Sequence, residues 1–151
     1  MILFIFYRSH LISDSNNDEP TTGNYLKTIL LWNANPDRVE IVTFGSGIEA
    51  FATCNLARYE QCELVLDRNH RPIESYDAIV VNAPVIQWSD RGAETLPLLF
   101  DSRKAHQRVV FFSQESPVHT WGRTVNPSNF KGHFNWTMTY RFDSDIPLSY
   151  G

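Results

Sequence analysis

Apolar residues in this chain gather in short runs divided by polar, turn-prone stretches, and these runs set the expected elements. Lys27 to Trp32 (KTILLW) is nearly continuous and is closed by Asn33 to Arg38 (NANPDR), as expected for a strand buried on both faces. Val39 to Phe44 (VEIVTF) is a second candidate strand, ending at Gly45-Ser46-Gly47, and Ile48 to Cys54 has helical composition over a short span. Cys62 to Leu66 (CELVL), Tyr76 to Asn82 (YDAIVVN) and Arg108 to Ser113 (RVVFFS) follow, with an aromatic-rich strand pattern from Trp136 to Phe142. A helix-compatible stretch, Ala93 to His106, precedes Arg108 and carries Pro97 in its first turn, where a missing N–H costs little. Strands alternating with loops and helical stretches predict an α/β fold with a Rossmann-like, open, largely parallel sheet. Ligands of such sheets gather at the carboxyl ends of the strands, which directs attention to the residues just after Asn82 and Ser113. No internal repeat is visible.

The two ends read differently. Met1 to Tyr7 (MILFIFY) is apolar but stops at Arg8, well short of the ~20 apolar residues a membrane-spanning helix needs. It reads either as a first strand or as the tail of a longer hydrophobic segment. Ser13 to Asn24 holds no large apolar residue, so residues 1–24 are expected to be a poorly ordered leader or stem, with the folded part beginning near Tyr25. The remainder, in a chain of 151 residues that is 42% hydrophobic and 13% aromatic, suits one domain with a real core and argues against disorder. A net charge of −4 without any basic block leaves no electrostatic footprint for nucleic acid. Cys54 and Cys62 cannot build a disulfide-dense scaffold or a four-thiolate zinc site; a disulfide, to each other or to partners beyond Gly151, is the expectation for an exported protein.

Several short motifs carry possible chemistry. Gly45-Ser46-Gly47 after a strand pattern fits a dinucleotide loop only in part, because Ala50 stands where a third glycine belongs, and a plain turn is the simpler reading. Asp143-Ser144-Asp145 has the spacing by which two carboxylates can share a divalent ion; Arg141 offers a local ion pair instead, and no metal is expected. Asn135-Trp136-Thr137 is a glycosylation sequon by pattern, but it opens a strand, which argues against modification. Gln114 to Thr120 (QESPVHT) is the richest stretch: directly after an apolar run it presents a carboxylate, hydroxyls and an imidazole, with Pro117 turning the chain. Glu115 is the candidate general base there, with His119 as the alternative and a polar strand-ending loop as the plain reading.

The same stretch, together with Phe134 to Gly151 (FNWTMTYRFDSDIPLSYG), resembles the alpha-1,3-fucosyltransferase family, whose members carry a Glu-Ser-Pro segment and then an Asn-x-Thr-x-x-Tyr-Arg-x-Asp-Ser-Asp run. Lys27 to Trp32, Phe51 to Arg68 and Asp77 to Val81 are similar to earlier parts of that pattern, so the resemblance runs from about Leu26 to Gly151. It implies a type II Golgi enzyme of the GT-B kind, with two Rossmann-like halves, that transfers L-fucose from GDP-fucose to an N-acetylglucosamine hydroxyl with inversion. By position Glu115 matches the family's catalytic glutamate. Acceptor contacts are expected from Asn82, Trp88, Ser116 and His119, while Tyr140, Arg141, Asp143 and Asp145 are motif residues whose role is open. Such an enzyme needs no metal and no cofactor beyond its donor substrate. Asn82 to Trp88 stands where vertebrate Lewis-type members carry a His-rich segment, which leaves the acceptor open, and the family's donor-half motif does not occur in these 151 residues. Residues 25–151 are therefore expected to be the acceptor-side half, with GDP-fucose held by a missing half and the Golgi membrane reached through an anchor not complete in this chain. Two other classes stay in play: a non-catalytic carbohydrate-binding module derived from that half, and a nucleotide-binding domain using Gly45 to Gly47.

Overall fold

The computed structural model describes residues 26–34, 44–52, 62–88, 96–97, 99–121 and 126–148. Six strands form one sheet: β1 (Lys27–Leu31), β2 (Cys62–Val65), β3 (Ala78–Asn82), β4 (Arg108–Ser113), β5 (Trp136–Thr139) and β6 (Ile146–Pro147). Their spatial order is β2-β1-β3-β4-β5-β6, and every pairing between them is parallel. The expected open, parallel α/β sheet is therefore present. The chain runs outward from β1 to β2 and then returns past β1 to β3, so strand order reverses between β1 and β3.

Strand alternation divides the core in two. Ile29, Leu31, Ala78, Val80, Val110 and Phe112 face one side with Leu64, Trp136 and Met138, whereas Leu30, Ile79, Val81 and Val109 face the other with Tyr76, Ile86, Leu96 and Leu99. Because neighbouring residues of one strand enter opposite cores, both faces must be apolar, which is why KTILLW and RVVFFS read as continuous rather than alternating runs. All five residues of β3 are buried.

The amino-terminal edge is stitched by polar side chains. Asp77, just before β3, accepts from Lys27 Nζ at 2.7 Å and from the Thr28 N–H at 2.9 Å, and its own N–H donates to the Thr28 carbonyl. Gln107, just before β4, is buried; its Nε2 donates to the carbonyls of Ile73 and Tyr76 at 2.6 and 2.8 Å, and its Oε1 accepts from Lys104 N–H at 2.7 Å. At the opposite end two short helices follow their strands, α1 (Ala83–Trp88) directly after β3 and α2 (Pro117–Trp121) after β4 and the loop 114–116, and the two pack beside one another.

Beyond one-residue shifts at the ends of β1 and β2, and the short elements α1, α2 and β6 that the pattern does not announce, the elements differ from expectation as follows. Residues 96–97 and 99–102 are helical, so the stretch from Ala93 to His106 carries a helix that stops short of its last residues. Within the described part of Ile48 to Cys54, residues 48–52, the chain forms the 3-10 turn Glu49–Phe51. The strand expected from Tyr76 starts at Ala78, since Asp77 is occupied with Thr28. The strand expected to reach Phe142 stops at Thr139, because its N–H is taken by the Ser144 hydroxyl at 3.0 Å. Residues 1–24, expected to form a leader or stem, and Val39 to Thr43 and Cys54 lie outside the described residues.

Gly45 and Gly47 both have positive φ, 70° and 64°, and Gly47 exchanges two main-chain hydrogen bonds with Leu64, at 2.8 and 3.0 Å. Their backbone thus covers the outer edge of β2, a turn that only glycine enters without strain. No helix among the described residues is long and apolar enough to cross a membrane.

Candidate active site

The point where strand order reverses is the usual ligand crevice of an open α/β sheet. Here it is closed by the protein itself: the Asn33 carboxamide donates Nδ2 to the Asn82 carbonyl at 2.7 Å and accepts the Asn82 N–H at 2.8 Å. One strand further, β3 and β4 end side by side with Asn82 in register with Phe112. From these two ends α1 and α2 depart. Asn82 is buried, and Trp88 is the last residue of α1.

The loop after β4 is built from hydroxyls. Ser113 and Thr120 are both 2% exposed, and their oxygens lie 2.7 Å apart. Ser113 Oγ accepts the Glu115 N–H at 3.2 Å; Thr120 Oγ1 donates toward the carbonyls of Glu115 at 3.1 Å and Ser116 at 2.9 Å. The Ser116 carbonyl also accepts the N–H groups of His119 and Thr120, so Ser116 opens α2, with Pro117 at its first position, where its missing N–H is no loss. The outcome is a pinned main chain with an exposed Glu115 side chain above it. His119 is exposed on α2, and Ser116 is half-buried. Glu115, Ser116 and His119 thus share one loop and helix start beside α1, whereas Tyr140, Arg141, Asp143 and Asp145 belong to a different loop, after β5.

Residues 24–151 match the family model described as fucosyltransferase, N-terminal. This chain belongs to that family. It is 36% identical over 90 residues to the 4-galactosyl-N-acetylglucosaminide 3-alpha-L-fucosyltransferase of Homo sapiens (60% of this chain, 22% of the relative). It is 37% identical over 99 residues to alpha-(1,3)-fucosyltransferase 7 of Mus musculus (66% and 23%) and 39% identical over 95 residues to alpha-(1,3)-fucosyltransferase C of Drosophila melanogaster (60% and 20%). The chain therefore spans less than a quarter of the length of these relatives.

In this member of the fucosyltransferase family the Asp-Ser-Asp run is a brace. Parallel neighbours usually need a crossover of about a dozen residues or more, yet β5 and β6 are joined by residues 140–145 alone. Side chains reinforce the short β5/β6 ladder. Asp145 accepts from the Thr137 N–H at 2.9 Å and from its hydroxyl at 3.0 Å, and Ser144 Oγ donates to the Thr137 carbonyl at 3.0 Å. Arg141 forms a two-pronged pair with Asp143, at 2.7 and 2.6 Å. The two aspartates are thereby turned to separate protein partners, in agreement with the ion-pair reading of Arg141. The guanidinium beside Asp143 holds its carboxyl below the usual aspartate range. A depressed carboxyl contributes stability above its unfolded value and loses it as acid protonates the folded group; full exposure keeps that contribution small. NMR titration is expected to place Asp143 below an ordinary aspartate, and Arg141→Gln to return it toward the ordinary range; an unmoved titration would remove the pair as the cause.

The same polar economy applies to the sequon. Asn135 Oδ1 accepts the Val109 N–H at 2.8 Å, and the Thr137 hydroxyl is engaged by Asp145. Sequence reasoning missed Asn33 and the pairing of Ser113 with Thr120, although Thr120 lies in the stretch it singled out. Ser113 and Thr120 are legible only as polar residues flanking a turn, and nothing in their spacing shows that a strand end and a helix bring them together. Asn33 sits in a polar stretch that reads as an ordinary loop.

Proposed function

We infer that this chain is the acceptor-side half of an inverting alpha-1,3-fucosyltransferase of the GT-B kind, with residues 1–24 as leader or stem and residues 25–151 as the folded half. L-Fucose passes from GDP-fucose to an N-acetylglucosamine hydroxyl of a glycan. The observation that carries this reading is Glu115: an exposed carboxylate on a pinned loop at a strand's carboxyl end, in a chain of the fucosyltransferase family. The Glu115 carboxylate removes the acceptor proton while the acceptor oxygen bonds to the anomeric carbon. The bond from that carbon to the phosphate oxygen breaks, and GDP leaves with the electron pair. One displacement inverts the centre. Asn82 and Trp88 on the β3 side, and Ser116 and His119 on the β4 side, are assigned to the acceptor. GDP-fucose is assigned to a second half, and residence to the Golgi lumen as a type II membrane protein.

Binding separates this reading from a nucleotide-binding domain. The purified 151-residue chain is expected to show saturation-transfer NMR contacts to an N-acetylglucosamine-containing oligosaccharide, none to GDP, and no turnover of GDP-fucose. Binding of GDP without glycan would reverse the assignment of the two halves.

A further inference from the structure

The family relationship leaves unassigned two buried hydroxyls that no substrate can touch. Ser113 ends β4 and Thr120 sits in α2, each 2% exposed, and between them they take up the whole main chain of Glu115. Donor counting makes this a closed set. Each hydroxyl has one proton. If Ser113 donates to Thr120 across 2.7 Å, Thr120 donates onward to the carbonyl of Glu115 or Ser116; if Thr120 donates to Ser113, Ser113 Oγ donates to the Glu115 carbonyl at 3.3 Å. In both directions the Glu115 N–H ends on Ser113 Oγ and its carbonyl can end on the pair. Bonds of this kind are strengthened by burial and by acting in series.

We propose that Ser113 and Thr120 are positioning residues that fix the Glu115 backbone, and through it the direction in which the carboxylate is presented to the acceptor hydroxyl. The proposal rests on Glu115 being the base, and it goes beyond that reading in naming what aims it. An exposed carboxylate on a free loop would sample many directions. Proton abstraction requires one, within hydrogen-bond reach of the acceptor hydroxyl. The pair ties residue 115 to a buried strand end on one side and to a helix on the other, so only the side-chain torsions of Glu115 remain to be ordered.

The test is kinetic, on the full-length gene product, with Thr120→Val removing the hydroxyl at nearly constant shape and Thr120→Ser restoring it. Misplacement of a reacting group by about 1 Å costs up to ~10²-fold in rate, so Thr120→Val is expected to lower kcat by about 10-fold or more with KM nearly unchanged. Thr120→Ser should recover most of the loss. Thr28→Val, which removes a buried hydroxyl at the far edge of the sheet, serves as the stability control and should leave kcat alone. In a Glu115→Gln background Thr120→Val should cost no further kcat, because its effect passes through the carboxylate. The same chain of 151 residues gives a second readout: Ser113→Ala and Thr120→Val should each speed hydrogen exchange at the Glu115 amide while β1 and β3 amides keep their protection. Normal kcat in folded Thr120→Val, alongside a crippled Glu115→Gln, overturns the positioning role alone. Normal kcat in Glu115→Gln overturns the base assignment itself. An unchanged Glu115 amide in both hydroxyl variants also overturns the positioning role.

Discussion

Replacing Glu115 by glutamine in the full-length gene product is expected to lower kcat by at least about 10²-fold, the lower range for loss of a general base. Glutamine keeps the shape of the side chain and removes its basicity. The loop is held through the Glu115 main chain and the Ser113 and Thr120 hydroxyls, none of which the substitution touches, so thermal stability should stay near wild type. Binding of GDP-fucose should survive because the donor is assigned to another half of the protein. KM for the acceptor should move little if the carboxamide still bonds the acceptor hydroxyl. His119 supplies the control: it is exposed on α2, one turn from Glu115, and His119→Ala should be the milder change. A larger loss at His119 than at Glu115 would transfer the base to the imidazole.

Glu115 stands out in the sequence because of the way a parallel sheet is written. Strands buried on both faces take the form of unbroken apolar runs, and the first charged residue after such a run marks a carboxyl end, where ligands collect. KTILLW, CELVL, the AIVV portion of YDAIVVN and RVVFFS are legible for that reason, and the parallel order follows from their alternation with helical stretches. The features that are not legible are those decided by tertiary neighbours. The closure of the β1/β3 crevice depends on Asn33 meeting Asn82, forty-nine positions away, and a single asparagine in a polar stretch carries no sign of that encounter. The break after Thr139 depends on Ser144 and Asp145 folding back on β5, so the aromatic pattern running to Phe142 overstates the strand. The Asp-x-Asp spacing likewise suggests the Arg141–Asp143 pair but carries no sign that Asp145 folds back on Thr137.

The largest stability effect is expected at the edge opposite the chemistry, from Gln107→Leu. Gln107 is 2% exposed and binds three main-chain groups from two loops: the carbonyls of Ile73 and Tyr76 and the N–H of Lys104. Leucine fills much of the same volume but satisfies none of them. An orphaned buried backbone group costs ~1–3 kcal/mol, and water can reach some of the three, so a total loss of about 3 kcal/mol is expected. Urea unfolding should show a lower midpoint with an unchanged slope, the mark of altered stability rather than altered compactness. Gln107→Glu should be worse at neutral pH, since it keeps one acceptor but sets a charge against two carbonyls. Its deficit should shrink as acid protonates the new carboxyl and returns a donor. Because Gln107 immediately precedes β4 and Ser113 ends it, folded Gln107→Leu should retain its turnover while Glu115→Gln retains its stability. A Gln107→Leu variant within about 1 kcal/mol of wild type would mean that the loops at this edge find other partners, and that the sheet needs less from its polar stitching than its hydrogen bonds imply.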